Sequence, residues 1–199
     1  MQIIVHIGQQ KTASTAIQTH LAHNRQHLAT QGILHPSAFG KWKTRIGPLL
    51  SGGDTKLSPA SRRAIISAFR EETDGDYKSI LLSEENIFGS SRNKILSLKN
   101  LFEEYATSWR ILCYIRRPDD HIVSQYQQKM RKVDGRSHRP FEEFFSRRLY
   151  DDYYRYAEQM DRWARAFGKD AVDVRVFHRK ILQGGPVEEI GRASCRERV

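Results

Sequence analysis

His6-Ile7-Gly8-Gln9-Gln10-Lys11-Thr12-Ala13-Ser14-Thr15-Ala16-Ile17-Gln18 is the stretch on which the reading of this chain turns. It follows an apolar run, Ile3-Ile4-Val5, that reads as a buried strand, and it opens into Ile17, Leu21 and Leu28 at helical spacing. A strand, a short turn bearing a lysine and three hydroxyl residues, and then a helix make an anion cradle. Backbone N–H groups at the helix N-terminus point at the anion, and the dipole behind them favours negative charge. Lys11 adds a mobile cation, and Thr12, Ser14 and Thr15 add hydroxyl donors. The stretch is not the G-x-x-x-x-G-K-[ST] phosphate loop, because Gly8 stands only three residues before Lys11. The plain alternative is a strand-to-helix turn whose hydroxyls merely cap the helix.

A second segment repeats the logic. Tyr114-Ile115-Arg116-Arg117-Pro118-Asp119-Asp120-His121 ends an apolar run, Ile111 to Ile115, and Pro118 suits the first turn of a following helix. Arginines at a strand end present forked donors to a phosphate, and Ser124 lies about two turns along that helix. Read alone, such a charge cluster favours a solvated arginine pair beside Asp119 and Asp120.

Together the two segments resemble the sulfotransferases that use 3′-phosphoadenosine-5′-phosphosulfate (PAPS). In that family Lys-[Ser/Thr]-Gly-[Thr/Ser]-Thr after the first strand holds the 5′-phosphosulfate, and an Arg with a Ser eight residues later holds the 3′-phosphate. The counterparts are Lys11-Thr12-Ala13-Ser14-Thr15 and Arg116 with Ser124. The run His6-Ile7-Gly8, Lys11-Thr12, Gln18, Leu21, Asn24-Arg25, Leu28, Gly32-Ile33 and Pro36 is similar to a bacterial branch, and the resemblance spans residues 2 to 182. It departs at Ala13, where many relatives carry Gly; an alanine in a right-handed turn is the expectation.

The resemblance implies PAPS as donor and 3′,5′-diphosphoadenosine (PAP) as product. It implies a hydroxyl acceptor of carbohydrate or glycolipid type, and no metal; no His/Cys/Asp spacing suited to one is visible. Lys11 is the candidate for stabilising charge on the leaving phosphate. Ser83-Glu84-Glu85 looks like the family's strand-end Ser-x-Glu, which makes Glu85 the candidate base, with Glu84 and His6 as the alternatives. Tyr150, Tyr153, Tyr154 and Tyr156 are read as divided between core and surface, without a site.

Around these motifs, strand-like runs at 2–7, 79–82, 109–115 and 171–177 alternate with helical patterns at 14–31, 59–73, from 91, 118–133, from 140 and 151–167. This alternation argues for an α/β domain of three layers, a central mainly parallel sheet flanked by helices in the P-loop-like sulfotransferase architecture. The loop-like span 36–57 is long enough to carry function.

One domain suits 199 residues of which 39% are hydrophobic. No run is long enough to span a membrane, and the opening strand leads to the expectation of a soluble cytoplasmic enzyme. Cys113 and Cys195 support no disulfide framework. A net charge of +10 favours anionic partners, with Lys129, Arg131, Lys132, Arg136 and Arg139 as the densest basic stretch. Two other classes compete: a nucleotide kinase-like ATP-binding protein, which lacks a second cradle glycine here, and a basic nucleic-acid-binding domain, for which no module signature is present. Residues 189–199, from Glu189-Ile190-Gly191 to Val199, look like a translated sequencing adapter. On that reading residues 1–188 are a partial sulfotransferase domain whose natural chain continues.

Overall fold

The computed structural model describes residues 1–41, 46–50, 57–132 and 140–178. The 189–199 tail, the stretch from 133 to 139 that carries Arg136 and Arg139, and much of the 36–57 loop lie outside the described residues.

The first strand, β1 (Gln2–His6), is buried on both sides. Ile3, Val5 and Ile7 pack into one core cluster while Ile4 packs into another. A strand can be apolar without alternation only when both of its faces are covered, the situation of a central parallel strand. Around it lie β2 (Ile33–Leu34), β3 (Ser79–Ser83), β4 (Ser108–Ile115) and β5 (Val172–Val176). They form a single sheet in the order β2-β3-β1-β4-β5, every neighbouring pair parallel. The expected α/β architecture is the one observed.

Helices α1 (Ser14–His23), α2 (Arg25–Thr30), α3 (Pro59–Glu72), α4 (Arg92–Phe102), α5 (Pro118–Lys132), α6 (Phe141–Leu149) and α7 (Tyr156–Phe167) connect and cover the strands. On one face Phe69 of α3, Ile95, Leu98 and Phe102 of α4 and Trp163 of α7 close over Ile3, Val5, Ile80 and Leu82. On the other, Ile17 and Leu21 of α1 cover Ile4, Leu81 and Leu112. None of the described helices is long and apolar enough to cross a membrane.

Three local expectations are corrected. The helical pattern at 14–31 is broken at Asn24, whose side-chain amide donates 2.8 Å to the His20 carbonyl and ends α1. The pattern at 151–167 begins instead as a single 3₁₀ turn, Asp152–Tyr154, because the Asp151 carboxylate accepts the Tyr153 N–H at 2.9 Å. A side-chain acceptor of this kind offers the backbone an alternative to helix. The third correction, at Ala13, belongs to the site.

Sheet order determines where a ligand belongs. From β1 the chain moves out to β2 and returns through β3, then crosses to the opposite side of β1 for β4. The connections diverge there, and in open parallel sheets the crevice beyond the strand ends at such a switch point is the binding position. In register, His6 at the end of β1 stands opposite Ser83 of β3 and Leu112 of β4. The segments after those three strands therefore share one rim.

Candidate functional site

The turn after β1 is held in an unusual backbone shape. Lys11 and Ala13 have φ of 66° and 60°, the only non-glycine residues at positive φ among those described. The expected right-handed alanine is thus corrected: Ala13 is left-handed, the conformation for which glycine is suited and an L-residue is not. Left-handed residues alternating with ordinary ones draw successive N–H groups toward a common point, an anion-binding concavity. The helix that follows is prepared the same way. Ala13 is the N-cap of α1 and makes no side-chain cap bond, and no acidic residue lies in the first turn.

Three consecutive carbonyls of the turn are engaged from behind. Gln9 O accepts the Thr12 hydroxyl at 2.5 Å, Gln10 O lies 2.8 Å from His121 Nε2, and Lys11 O accepts Arg116 Nη1 at 3.5 Å. Thr12 is fully buried, so its hydroxyl braces the turn. Lys11 and Ala13 are half-buried and Thr15 is exposed at the start of α1. The Ser14 hydroxyl donates to Glu85 Oε2, which brings the candidate base to the N-terminus of α1.

Glu84 and His6, the alternative bases, have other surroundings. The Glu84 carboxylate is buried, accepting Ile46 N–H at 3.2 Å and both the backbone N–H and the side-chain amide of Asn86. Burial pushes its pKa up against these bonds. His6 is fully buried beneath the turn, its Nδ1 2.8 Å from Ser83 Oγ. Burial lowers its pKa to about 4, so the ring is neutral. A Cβ at Gly8 would lie 2.3 Å from His6 Nε2; the glycine is what allows the turn to pass over the ring.

Arg116 leaves the end of β4 half-buried, with its guanidinium at the Lys11 carbonyl. Arg117 points elsewhere: it is exposed and forks onto Asp119 at 2.6 and 2.5 Å. Ser124 is half-buried on α5. The structure therefore brings Lys11, Thr12, Ala13, Ser14, Glu85 and Arg116 to one rim.

Sequence reasoning overlooked Gln9, His121 and Tyr156. Gln9 is fully buried; its Oε1 accepts Arg116 N–H at 2.9 Å and its Nε2 donates to Tyr156 Oη at 2.8 Å. Tyr156 in turn donates to Arg116 O at 2.8 Å. His121 is fully buried, its Nδ1 2.8 Å from Tyr154 Oη. With Nε2 donating to the Gln10 carbonyl, Nδ1 must accept from the tyrosine, so the tautomer follows from its partners. Burial, and then the charges of Arg116, Arg148 and Lys11, lower its pKa to about 4 against the pull of the Gln10 bond. The visible signal was the group Tyr153, Tyr154 and Tyr156, read as core and surface; the structure ties Tyr154 and Tyr156 to the site's backbone.

The fold is similar to that of a solved sulfotransferase. The crystal structure of a sulfotransferase from Alicyclobacillus acidocaldarius matches with a TM-score of 0.52 at 19% identity, covering 96% of this chain and 75% of that one. At this identity the likeness is one of fold. An uncharacterized protein of Archaeoglobus fulgidus is 28% identical over 108 residues, 54% of this chain and 27% of that protein. The chain thus matches about a quarter of the length of that curated relative. No family model matches the chain.

Proposed function

We propose that this protein is a PAPS-dependent sulfotransferase that moves a sulfuryl group to a hydroxyl acceptor of carbohydrate or glycolipid type in the cytoplasm. The observation that carries the reading is the joining of two anion-facing segments at the switch point. The uncapped N-terminus of α1 and its left-handed turn lie against Arg116, whose guanidinium is 3.5 Å from the Lys11 carbonyl. A donor with a 5′-phosphosulfate and a separate 3′-phosphate needs two such segments. The solved sulfotransferase of the same fold supports the reading.

In this reading the backbone N–H groups of Thr12, Ala13, Ser14 and Thr15 cradle the 5′-phosphosulfate, and Arg116 with Ser124 takes the 3′-phosphate. Glu85 accepts the proton of the acceptor hydroxyl as its oxygen bonds to sulfur. The sulfur–oxygen bond to the phosphate breaks in the same displacement, and PAP leaves carrying the electron pair. Lys11 stabilises the charge that grows on that phosphate, a contribution of roughly 10²–10³ in rate per well-aimed donor. Glu85 is favoured over Glu84 because Glu84 already accepts three N–H bonds from Ile46 and Asn86.

Isothermal titration with PAP, AMP and ATP tests the donor. PAP should bind at least about tenfold more tightly than AMP, since one charge-assisted contact is worth ~1.5–3 kcal/mol. Equal affinities would remove the 3′-phosphate assignment, and ATP binding above PAP would move the protein to the kinase-like class.

A further inference from the structure

The ring formed by Gln9, Tyr156 and the Arg116 backbone has no part in the steps above, yet each of its side-chain polar atoms is hydrogen-bonded. Gln9 uses both ends of its side-chain amide, accepting Arg116 N–H and donating to Tyr156, and Tyr156 closes the circuit onto Arg116 O. The Gln9 backbone N–H donates to Tyr114 O at 3.2 Å, one step further along β4 than strand pairing itself reaches. One buried side chain therefore fastens the lysine turn to the arginine-bearing strand end, across 107 residues of sequence.

Peptide geometry gives this fastening a direction. Across a trans peptide the carbonyl and the following N–H point opposite ways. With Gln10 O held by His121 and Lys11 O held by Arg116, the N–H groups of Lys11 and Thr12 are turned away from those partners. Arg116 thus contributes twice: its backbone is held by the ring, and its guanidinium braces the turn.

We propose that Gln9 and Tyr156 are positioning residues that fix the separation between the lysine turn and Arg116, so that the site favours a nucleotide carrying two anionic groups over one carrying a single group. This rests on the donor reading above, which supplies the two groups. A mono-anionic nucleotide engages the turn alone, and the turn keeps its Thr12 and His121 bonds when the ring is opened. A bis-anionic nucleotide needs the two segments at one spacing, so opening the ring weakens it selectively.

Tyr156→Phe removes the hydroxyl and keeps the ring that packs edge-to-face on Phe88, 6.1 Å between centroids. Gln9→Met removes both amide bonds at similar volume. Titration with PAP, AMP and ATP should show each variant losing about fivefold in PAP affinity, the scale of one hydrogen bond, and less than about twofold for AMP. The double variant should lose no more than the weaker-binding single one, because the same circuit is broken either way. A uniform loss for PAP and AMP, an additive double variant, or no loss would overturn the proposal. A wild-type protein that prefers ATP to PAP would instead overturn the donor reading, and the ring then stands or falls by the same selective loss measured on ATP against AMP. Should no nucleotide bind, both fall.

Discussion

The turn after β1 and the turn after β4 stand side by side on one rim and are built in opposite ways. The first works through its backbone: Lys11 and Ala13 are left-handed, its carbonyls are engaged from behind, and neutral histidines are packed beneath and beside it. The second works through a side chain. Its backbone has no positive-φ residue, Pro118 sets the first turn of α5, and Arg116 and Arg117 diverge, one onto the site and one onto Asp119. A site made of backbone is as good as the packing that aims it, whereas a site made of one guanidinium stands or falls with that residue. Perturbations should therefore separate the two turns.

Acid should act most strongly, through buried histidines: His6 and His121 at the first turn, and His35 just after β2, whose pKa burial also lowers to about 4. His6 and His121 have native pKa values lowered from 6.5 to about 4, chiefly by burial. Between those values the unfolded chain binds protons that the native state refuses. The stability held by the neutral rings is fully present above pH 6.5 and is lost as pH falls toward 4. Each ring accounts for about 3 kcal/mol when the window is fully crossed, a large part of the ~5–15 kcal/mol of a typical domain. Thermal midpoints should be level from pH 8 to 7 and fall steeply toward pH 5. A midpoint unmoved at pH 5 would show that the rings are not buried in solution.

Next in size is the chemistry of the first turn. Lys11→Ala should cost on the order of 10² in turnover with a smaller loss of donor affinity. If the Michaelis constant rises and turnover survives, Lys11 binds without assisting the displacement. Glu85→Gln should lose turnover with nearly normal PAP binding. The same result in Glu84→Gln would move the base by one residue.

The second turn should respond to one arginine and ignore the other. Arg116→Ala should erase most of the preference of PAP over AMP, about tenfold or more. Arg117→Ala should change it by less than about twofold, because the exposed Arg117–Asp119 pair is of the surface kind that contributes little. Equal effects of the two would mean that Arg117 leaves Asp119 when a nucleotide binds.

The side chains of both turns were legible in sequence and their backbone and bracing partners were not, and the reason is physical. The strands were readable because burial on both faces removes polar residues from Ile3-Ile4-Val5 and from Ile111 to Ile115. Charged and hydroxyl residues placed directly after such runs stand out, which made Lys11, Ser14, Glu85 and Arg116 visible. Gln9, His121 and Tyr156 were not visible, since a glutamine in a turn carries no local signal and its partners lie 107 and 147 residues away. The break at Asn24 was hidden because Leu28 continues the apolar spacing beyond it. The left-handed Ala13 was hidden by alanine's own preference for the right-handed region; the clue was the glycine at that position of the motif the stretch resembles.

That clue yields the smallest effect and the sharpest separation of the turns. A left-handed conformation costs an L-residue about 1–2 kcal/mol, while glycine adopts it freely at an entropic cost of roughly 0.5–1 kcal/mol. Ala13→Gly should therefore stabilise the protein by up to about 1 kcal/mol, a rise of ~2–4 °C in Tm for a domain of this size. The matching change in the other turn has the opposite sign. Arg117 is not at positive φ, so Arg117→Gly adds freedom to the unfolded chain and relieves nothing, and Tm should fall by a similar amount. Differential scanning calorimetry of the two variants compares them directly. If Ala13→Gly lowers Tm as Arg117→Gly does, the β1 turn is right-handed in solution, and its N–H groups do not converge as the anion cradle requires.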